Sequence, residues 1–402
     1  MSDQKGARPL DGIRIIEVGQ LLAGPFVGSV LGYYGAEVIK VETPGDGDPI
    51  RKWRILDEDG TSFWWRSLGR NKKCITANLR TDEGREILRR LIEKADVVVE
   101  NFKPGTMEKW GLGPDQFKES NPGLIYSRIS GYGQTGPYSS KPGFASVCEG
   151  VGGLRYVNGF PDGPPVRPNL SLGDTLAGMH AALGICMAVI RRQNHPGGGQ
   201  VIDTALYESV FNMLEGVVPE YDGAGVVREP SGSTLTGIVP TNTYRCSDGK
   251  FIIIGANGDS IFKRLCDKMG RPDMGEDPRF ADNAGRVEHE PEIDAAITEW
   301  TGSMDAATAL KLLEEAVVPS GPIYSVVDMM ADEHFIARGL FEEVEYNGKK
   351  LKIPGMVPKL SETPGRTDWP GAEVGAFNEE ILGGLLGMSE EERRKLSDDG
   401  II

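Results

Sequence analysis

Cysteine, histidine and positive charge are all in short supply in this chain. Its 402 residues include 5 cysteines and 4 histidines. The cysteines (Cys74, Cys148, Cys186, Cys246, Cys266) are scattered and never spaced C-x-x-C, and the histidines lie far apart. A disulfide framework and a zinc site are therefore not expected; reduced thiols and no metal are. Lysine plus arginine total 44 against 59 acids, a formal net charge of −15. That balance argues against non-specific nucleic-acid binding, although a local basic pocket can still take an anionic ligand. No apolar run approaches the ~20 residues of a membrane span, and the polar start MSDQKGARPLDG has no signal-peptide core. The expectation is a soluble, cytoplasmic protein with no nucleic-acid or membrane partner. Internal repeats and low-complexity tracts are missing as well.

What is present is the composition of a globular protein, 39% hydrophobic and 26% charged. The length exceeds what one core usually holds, so two domains are expected. Strand-like runs at 13–18, 37–42, 97–99, 124–130 and 201–206 alternate with helical stretches, among them 26–34, 82–95 and 114–120. Such alternation predicts an α/β fold with a parallel sheet covered on both faces. Ligands in such folds bind off the carboxyl ends of the strands. Past residue 221 the composition changes. A Gly/Ser/Pro-rich linker (221–240) precedes a hairpin about Ser247-Asp248-Gly249 and helical patterns at 260–269, 291–301 and 305–316. This reads as a smaller α+β domain over 241–335. A second hairpin about Asn347-Gly348, in the connection 336–364, leads to a helical tail at 377–396 with Ser389 and Glu392 at capping-box spacing.

The stretch PNLSLGDTLAGMHAALGICMAVI (168–190) stands at the centre. Ala177, Ala181 and Gly184 give it one face for close backbone packing. Arg191 and Arg192 suit its last turn, and Gly197-Gly198-Gly199 ends it. Asp174 falls at or next to the helix N-cap, where the positive dipole end keeps a carboxylate ionised. An ordinary cap and a carboxylate nucleophile both fit that position, and spacing does not decide between them. Gly131-Tyr132-Gly133-Gln134-Thr135-Gly136 matches G-x-G-x-x-G after a strand. Pro137 follows in place of a helix start and no acid closes a later strand, so it reads as a glycine turn approached by a ligand, not a dinucleotide fingerprint.

Five ordered stretches together resemble class III CoA-transferases, the formyl-CoA and carnitine CoA-transferase family. They are LDGIRIIEVGQLLAGPFVGSVLGYYGAEVIKVETPGDGDPIR (10–51), NKKCITANL (71–79), ADVVVENFKPG (95–105), ISGYGQTGP (129–137) and LGDTLAGMHAALG (172–184). The resemblance implies a large Rossmann-like domain (1–220, completed by 365–402), a small domain, and two protomers interlocked as a homodimer. It implies that Asp174 takes the acyl group and then CoA, through an aspartyl anhydride and an aspartyl-CoA thioester. It implies no tightly bound cofactor, with coenzyme A arriving as the acyl-CoA substrate beside a small carboxylic acid. CoA contacts carry over to Gln20, Ala23, Arg80, Asn101, Phe102 and Lys109, and the glycine turn makes Gly131, Tyr132 and Gly133 candidate substrate contacts. GPPVRP (163–168) resembles the segment of succinyl-CoA:glutarate-type transferases, which marks Arg155 and Arg167 as candidates for a substrate's distal carboxylate. Either arginine can equally pair with a surface acid.

There are departures from the family pattern. Thr43 stands where some members place an arginine for the CoA nucleotide, and the active-site glycine loop of some members is not recognisable. Phe144 occupies the stretch where related acyl-CoA racemases carry their histidine, and it cannot exchange a proton. The rival readings are that racemase or epimerase chemistry, or a non-catalytic CoA-binding partner subunit.

Overall fold

The computed structural model describes residues 6–402, so the first five residues of the polar start lie outside the described residues. The chain divides into two compact units. The first runs to Leu154 and takes in Pro168–Glu215 and Ile336–Ile402; the second is Arg155–Arg167 with Gly216–Phe335.

The first unit is built on a six-stranded parallel sheet of β1 (Arg14–Glu17), β2 (Glu37–Glu42), β3 (Lys72–Thr76), β4 (Val97–Glu100), β5 (Ile125–Ser130) and β6 (Gln200–Ala205). Their order is β3-β2-β1-β4-β5-β6. Ile16 pairs with Ile39 on one side and Val98 on the other, so the central strands are apolar on both faces, as buried parallel strands must be. One face is covered by helices Ala23–Tyr33 and Leu172–Asn194, the other by Asp82–Ile92 and the C-terminal turns. Because the chain winds outward through β2 and β3 and then returns to β4, the strand order reverses between β1 and β4. That reversal opens a crevice at the strands' carboxyl ends.

Several elements differ from the sequence reading. β3 is a strand despite beginning with two lysines, because Lys72 is fully buried against Glu17. The stretch about Pro114–Phe117 is a single 3-10 turn. The tail is not one helix. A π-helical segment, Glu379–Leu385, is followed by a break at Gly387 (φ 68°) and the helix Glu390–Asp398, which carries the expected Ser389–Glu392 capping box. The hairpin Phe341–Tyr346 and Lys349–Pro354 forms about Asn347-Gly348 as expected, and Tyr33, Arg70 and Asp57 hydrogen-bond to it.

The Leu172–Asn194 helix is also long and apolar enough to cross a membrane by length and composition. The interruptions at Asp174 and His180 hid this from a search for unbroken apolar runs. Its buried face, with Ala177, Ala181, Ile185 and Ala188, belongs to the core of the first unit.

The second unit contains a three-stranded antiparallel sheet of β7 (Thr241–Arg245), β8 (Phe251–Gly255) and β9 (Ser320–Pro322). Helices Asp259–Lys268, Glu290–Gly302 and Ala306–Glu315 surround a core that includes Ile252, Ile254, Phe262, Leu265, Ile297 and Leu313. The start of the expected linker is structured, since Val217–Ala224 forms a helix closed by Gly225 at φ 69°. Residues 155–167 group with this unit and not with their sequence neighbours.

Candidate active site

The crevice at the carboxyl ends of β1 and β4 is lined by two short loops. After β1 the chain turns through Gly19–Leu22 into the helix Ala23–Tyr33; after β4 it runs through Asn101–Gly105. Asn101 joins the two. Its Oδ1 accepts from the Gln20 N–H at 2.8 Å, and its Nδ2 donates to the Gln20 carbonyl at 2.9 Å. The Asn101 amide is thus engaged by backbone, while the Gln20 side chain is only half-buried. Leu22 caps the Ala23–Tyr33 helix without a side-chain bond to its first N–H groups, leaving the Ala23 end as backbone donor.

Phe102 follows Asn101, its N–H donating to Glu100 Oε2 at 2.7 Å. Burial raises the Glu100 carboxyl above its usual range, although Arg128, bonded to Glu100 and Glu108, opposes the shift. The Phe102 ring packs edge-on against Trp110 at 5.3 Å, and the Arg85 guanidinium lies over Trp110. Arg85 also donates to the Leu79 and Arg80 carbonyls, tying the β3 loop to this wall. Arg80 and Lys109 are both exposed at that rim.

Asp174 enters from the Leu172–Asn194 helix. Ser171 is the N-cap, without a side-chain cap bond, and Asp174 sits in the first turn. The expectation of an aspartate at or beside the cap is therefore corrected: Asp174 stands three residues past it, because Ser171 keeps a non-helical backbone (φ −88°, ψ 64°) and the helix opens at Leu172. The dipole argument survives the correction, since it extends over the first turn. One turn further on, Gly178 lies against the first helix. A Cβ there would stand 3.0 Å from the Ala23 carbonyl and 3.0 Å from Phe26. The small face of the central helix thus lays the Asp174 end beside the β1 loop.

Behind Asp174 stands the helix Ala145–Val151. Glu149, fully buried, accepts from the Gly173 N–H at 3.2 Å. Cys148 lies at the base of the glycine turn after β5, 3.3 Å from the Gly131 carbonyl. Burial, with the negative charges of Asp174 and Glu149, pushes its thiol from 9.0 up to about 11. Gly131 and Gly143 touch backbone to backbone, and a Cβ on Gly131 would meet the Gly143 Cα at 2.9 Å. Gly133, at φ 86°, takes the left-handed turn. Tyr132 is buried between Tyr138 and Tyr207, and burial raises its phenol.

Within the first unit, Gln20, Ala23, Asn101, Phe102, Gly131, Tyr132, Gly133 and Asp174 all lie on loops or helix starts at the strands' carboxyl ends. Arg155 and Arg167 bound the segment that groups with the second unit; Arg155 is half-buried and Arg167 exposed. Phe144 is 71% exposed. Sequence reasoning missed Glu149, Trp110 and Arg85, which no local pattern distinguishes. It also missed Lys40 and Asp48. Lys40 did leave a signal, a cation in the middle of the strand EVIKVE.

Comparison with known proteins gives one consistent result. The family model described as CoA-transferase family III matches residues 10–376. The chain is 46% identical over 403 residues to succinyl-CoA–D-citramalate CoA-transferase of Chloroflexus aurantiacus, covering 100% of both chains. It is 35% identical to succinate–glutarate CoA-transferase of Agrobacterium fabrum, over 96% of this chain and 98% of that one. Among solved structures, a CAIB/BAIF family protein from Brucella suis superposes with a TM-score of 0.82 at 35% identity, over 94% of this chain and 100% of that one.

Proposed function

Since this chain belongs to the CoA-transferase family III, we propose that it moves CoA from succinyl-CoA to a free dicarboxylic acid by way of Asp174. One Asp174 oxygen attacks the thioester carbonyl, forming a mixed anhydride and expelling CoA thiolate. The thiolate attacks the aspartyl carbonyl, giving an aspartyl-CoA thioester and releasing succinate. The acceptor carboxylate then attacks that thioester, forming a second anhydride and freeing the thiolate again. Finally the thiolate attacks the acceptor's acyl carbon, so that the new acyl-CoA leaves and Asp174 is restored. No activated bond is lost to water, which makes water exclusion part of the task.

The observation that carries this reading is the position of Asp174 in the first turn of the central helix, beside the β1 loop, with Gly173 held by buried Glu149. Helix-end N–H groups favour the ionised nucleophile. Gln20, Ala23, Phe102, Arg80 and Lys109 are the proposed CoA contacts, and Gly131–Gly133 the proposed floor under the acyl group. Arg155 and Arg167 are proposed to bind the far carboxylate. Two relatives with names that join succinyl-CoA or succinate to a diacid support the substrate class. Racemase chemistry lacks a base where Phe144 stands, and the partner-subunit reading leaves Asp174 without a purpose. Met179, Leu183, Met187 and Ile190, exposed along one face of the central helix, support a homodimer.

Succinyl-CoA and butyryl-CoA, each offered with a panel of free mono- and dicarboxylic acids, test the proposal when the CoA esters are separated. Succinyl-CoA with a diacid should turn over fastest, and Arg167→Leu should erase that preference. Asp174→Asn should lower turnover by about 10³-fold or more and cost only about 0.3–1 kcal/mol of stability, the worth of a charge at a helix N-terminus. Hydroxylamine should trap acylated Asp174 in the wild type. Equal use of both donors would sink the dicarboxylate assignment, and full turnover of Asp174→Asn the nucleophile.

A further inference from the structure

Four charged side chains are sealed beneath the β1 loop. Lys40, Glu17 and Lys72 are 0% exposed and Asp48 is 1% exposed. Lys40 Nζ lies 2.8 Å from Asp48 and 3.1 Å from Glu17, and Lys72 Nζ lies 2.9 Å from Glu17. Glu42, with its partner Arg51, closes the group by accepting from the Asp48 N–H at 2.8 Å. Burial alone would push the Lys40 ammonium down, but Asp48, Glu17 and Glu42 outweigh it and hold it above the ordinary lysine value. Burying ion pairs is a poor route to stability, because apolar residues of similar size usually do as well.

Further hydrogen bonds of the cluster run to the β1 loop and to the start of the first helix, while Asp48 also accepts from the Ile50 N–H at 3.0 Å. Lys40 donates to the Gly19 carbonyl at 2.8 Å. Asp48 accepts from the Leu21 N–H, at 3.0 Å on one oxygen and 3.2 Å on the other. Lys72 donates to the Pro25 carbonyl. Between these anchors Leu21 is held at φ 65°, a left-handed backbone that a non-glycine residue adopts at a cost. The space for Glu17 is itself kept open by Gly28, where a Cβ would stand 1.9 Å from Glu17 Oε2.

We propose that Lys40 and Asp48 are positioning residues, which hold the Gly19–Leu22 turn in its strained form so that its backbone is shaped for the CoA thioester before the substrate arrives. This rests on the CoA-transferase reading above and adds two residues that act through the turn, without touching substrate. A preformed turn removes the ordering cost from binding, so its loss falls on the acyl-CoA step and spares the acceptor acid.

The reaction has two substrates with separate KM values, and that separation provides the test. Asp48→Asn keeps an acceptor for Leu21 but loses the negative charge facing Lys40; it should raise KM for succinyl-CoA about tenfold or more and leave KM for the acceptor acid unchanged. Leu21 tests the same idea from outside the buried cluster, where folding is not at risk. Leu21→Gly accepts a positive φ without penalty and should raise KM for succinyl-CoA several-fold less than Leu21→Val does. Leu21→Val resists that conformation and should behave like Asp48→Asn. Equal effects of Gly and Val at Leu21, or equal rises in both KM values in Asp48→Asn, would overturn the proposal. A wild type that transfers no CoA would instead overturn the reading on which it rests.

Discussion

Cys148 is a built-in reporter of the charge on Asp174. The thiol is buried, and its rise to about 11 comes chiefly from that burial, with the Asp174 and Glu149 carboxylates adding to it. An anion nearby disfavours thiolate, so removing the anion must lower the thiol's pKa. Thiolate absorbance, taken as wild type minus Cys148→Ser, should titrate near 11, and in an Asp174→Asn background the midpoint should move down while burial keeps it above 9.0. An unmoved midpoint would place the Asp174 charge elsewhere. The same shift fixes the sign of one stability term. A thiol raised on folding contributes in full below its unfolded pKa, and the contribution is lost as pH climbs towards 11. At this scale a motif in the sequence pointed to Asp174, Gln20 and Asn101, which the fold sets on loops and a helix start at the strands' carboxyl ends. The sequence was opaque where only the fold supplies the partner: Glu149 meets the Gly173 N–H across 24 positions, and Lys40 meets Asp48 across a loop.

Close approach between the central helix and the first helix is set by Gly178, and Gly178 and Gly184 on the central helix differ in what they face. Gly178 abuts a backbone carbonyl, Ala23 O, with Phe26 equally near. Gly184 abuts the tip of a side chain, Ile202 Cγ2, at 3.1 Å. Alanine favours a helix over glycine by about 0.8–1 kcal/mol at either position. Only at Gly178 must a helix move to admit the methyl group, an overpacking cost of about 1–3 kcal/mol. Gly178→Ala should therefore be less stable than Gly184→Ala by about 1–2 kcal/mol in urea unfolding, and it should also lose activity because it pushes Ala23 from Asp174. Equal midpoints would show that the helices slide freely. Elements with strong patterns were legible: the apolar strands, the Asp82–Ile92 helix and both hairpins stand within a few residues of expectation. Those missed are short or locally ambiguous. β3 opens on two lysines, β9 spans three residues and ends on proline, and the helix Ala145–Val151 has only seven residues to show a period.

At the scale of the whole molecule, the central helix carries an apolar surface that nothing among the described residues covers. The central helix buries Ala177, Ala181 and Ala188 and turns Met179, Leu183, Met187 and Ile190 outward, each between 46% and 59% exposed. The outward residues recur at spacings of four, four and three, which makes them one continuous stripe. A contiguous apolar stripe of this kind marks a surface that another molecule covers. A second copy of the chain is the occupant implied by the family resemblance. Each copy carries a net charge of −15, so long-range electrostatics oppose the pairing and burial of the stripe must drive it. Added salt screens that repulsion without weakening the apolar contact. The wild type should thus run at twice the chain mass in sedimentation at micromolar concentration, and the dimer should persist or tighten as salt rises. If the protomers interlock, Leu183→Asp with Met187→Glu should yield aggregated or unfolded chains, because a monomer would have no folded form to retreat to. A folded, fully active monomer from that double variant would sink the homodimer and leave the stripe for a different partner. A wild type that dimerises only at low salt would show that charge, and not this helix face, holds the copies together.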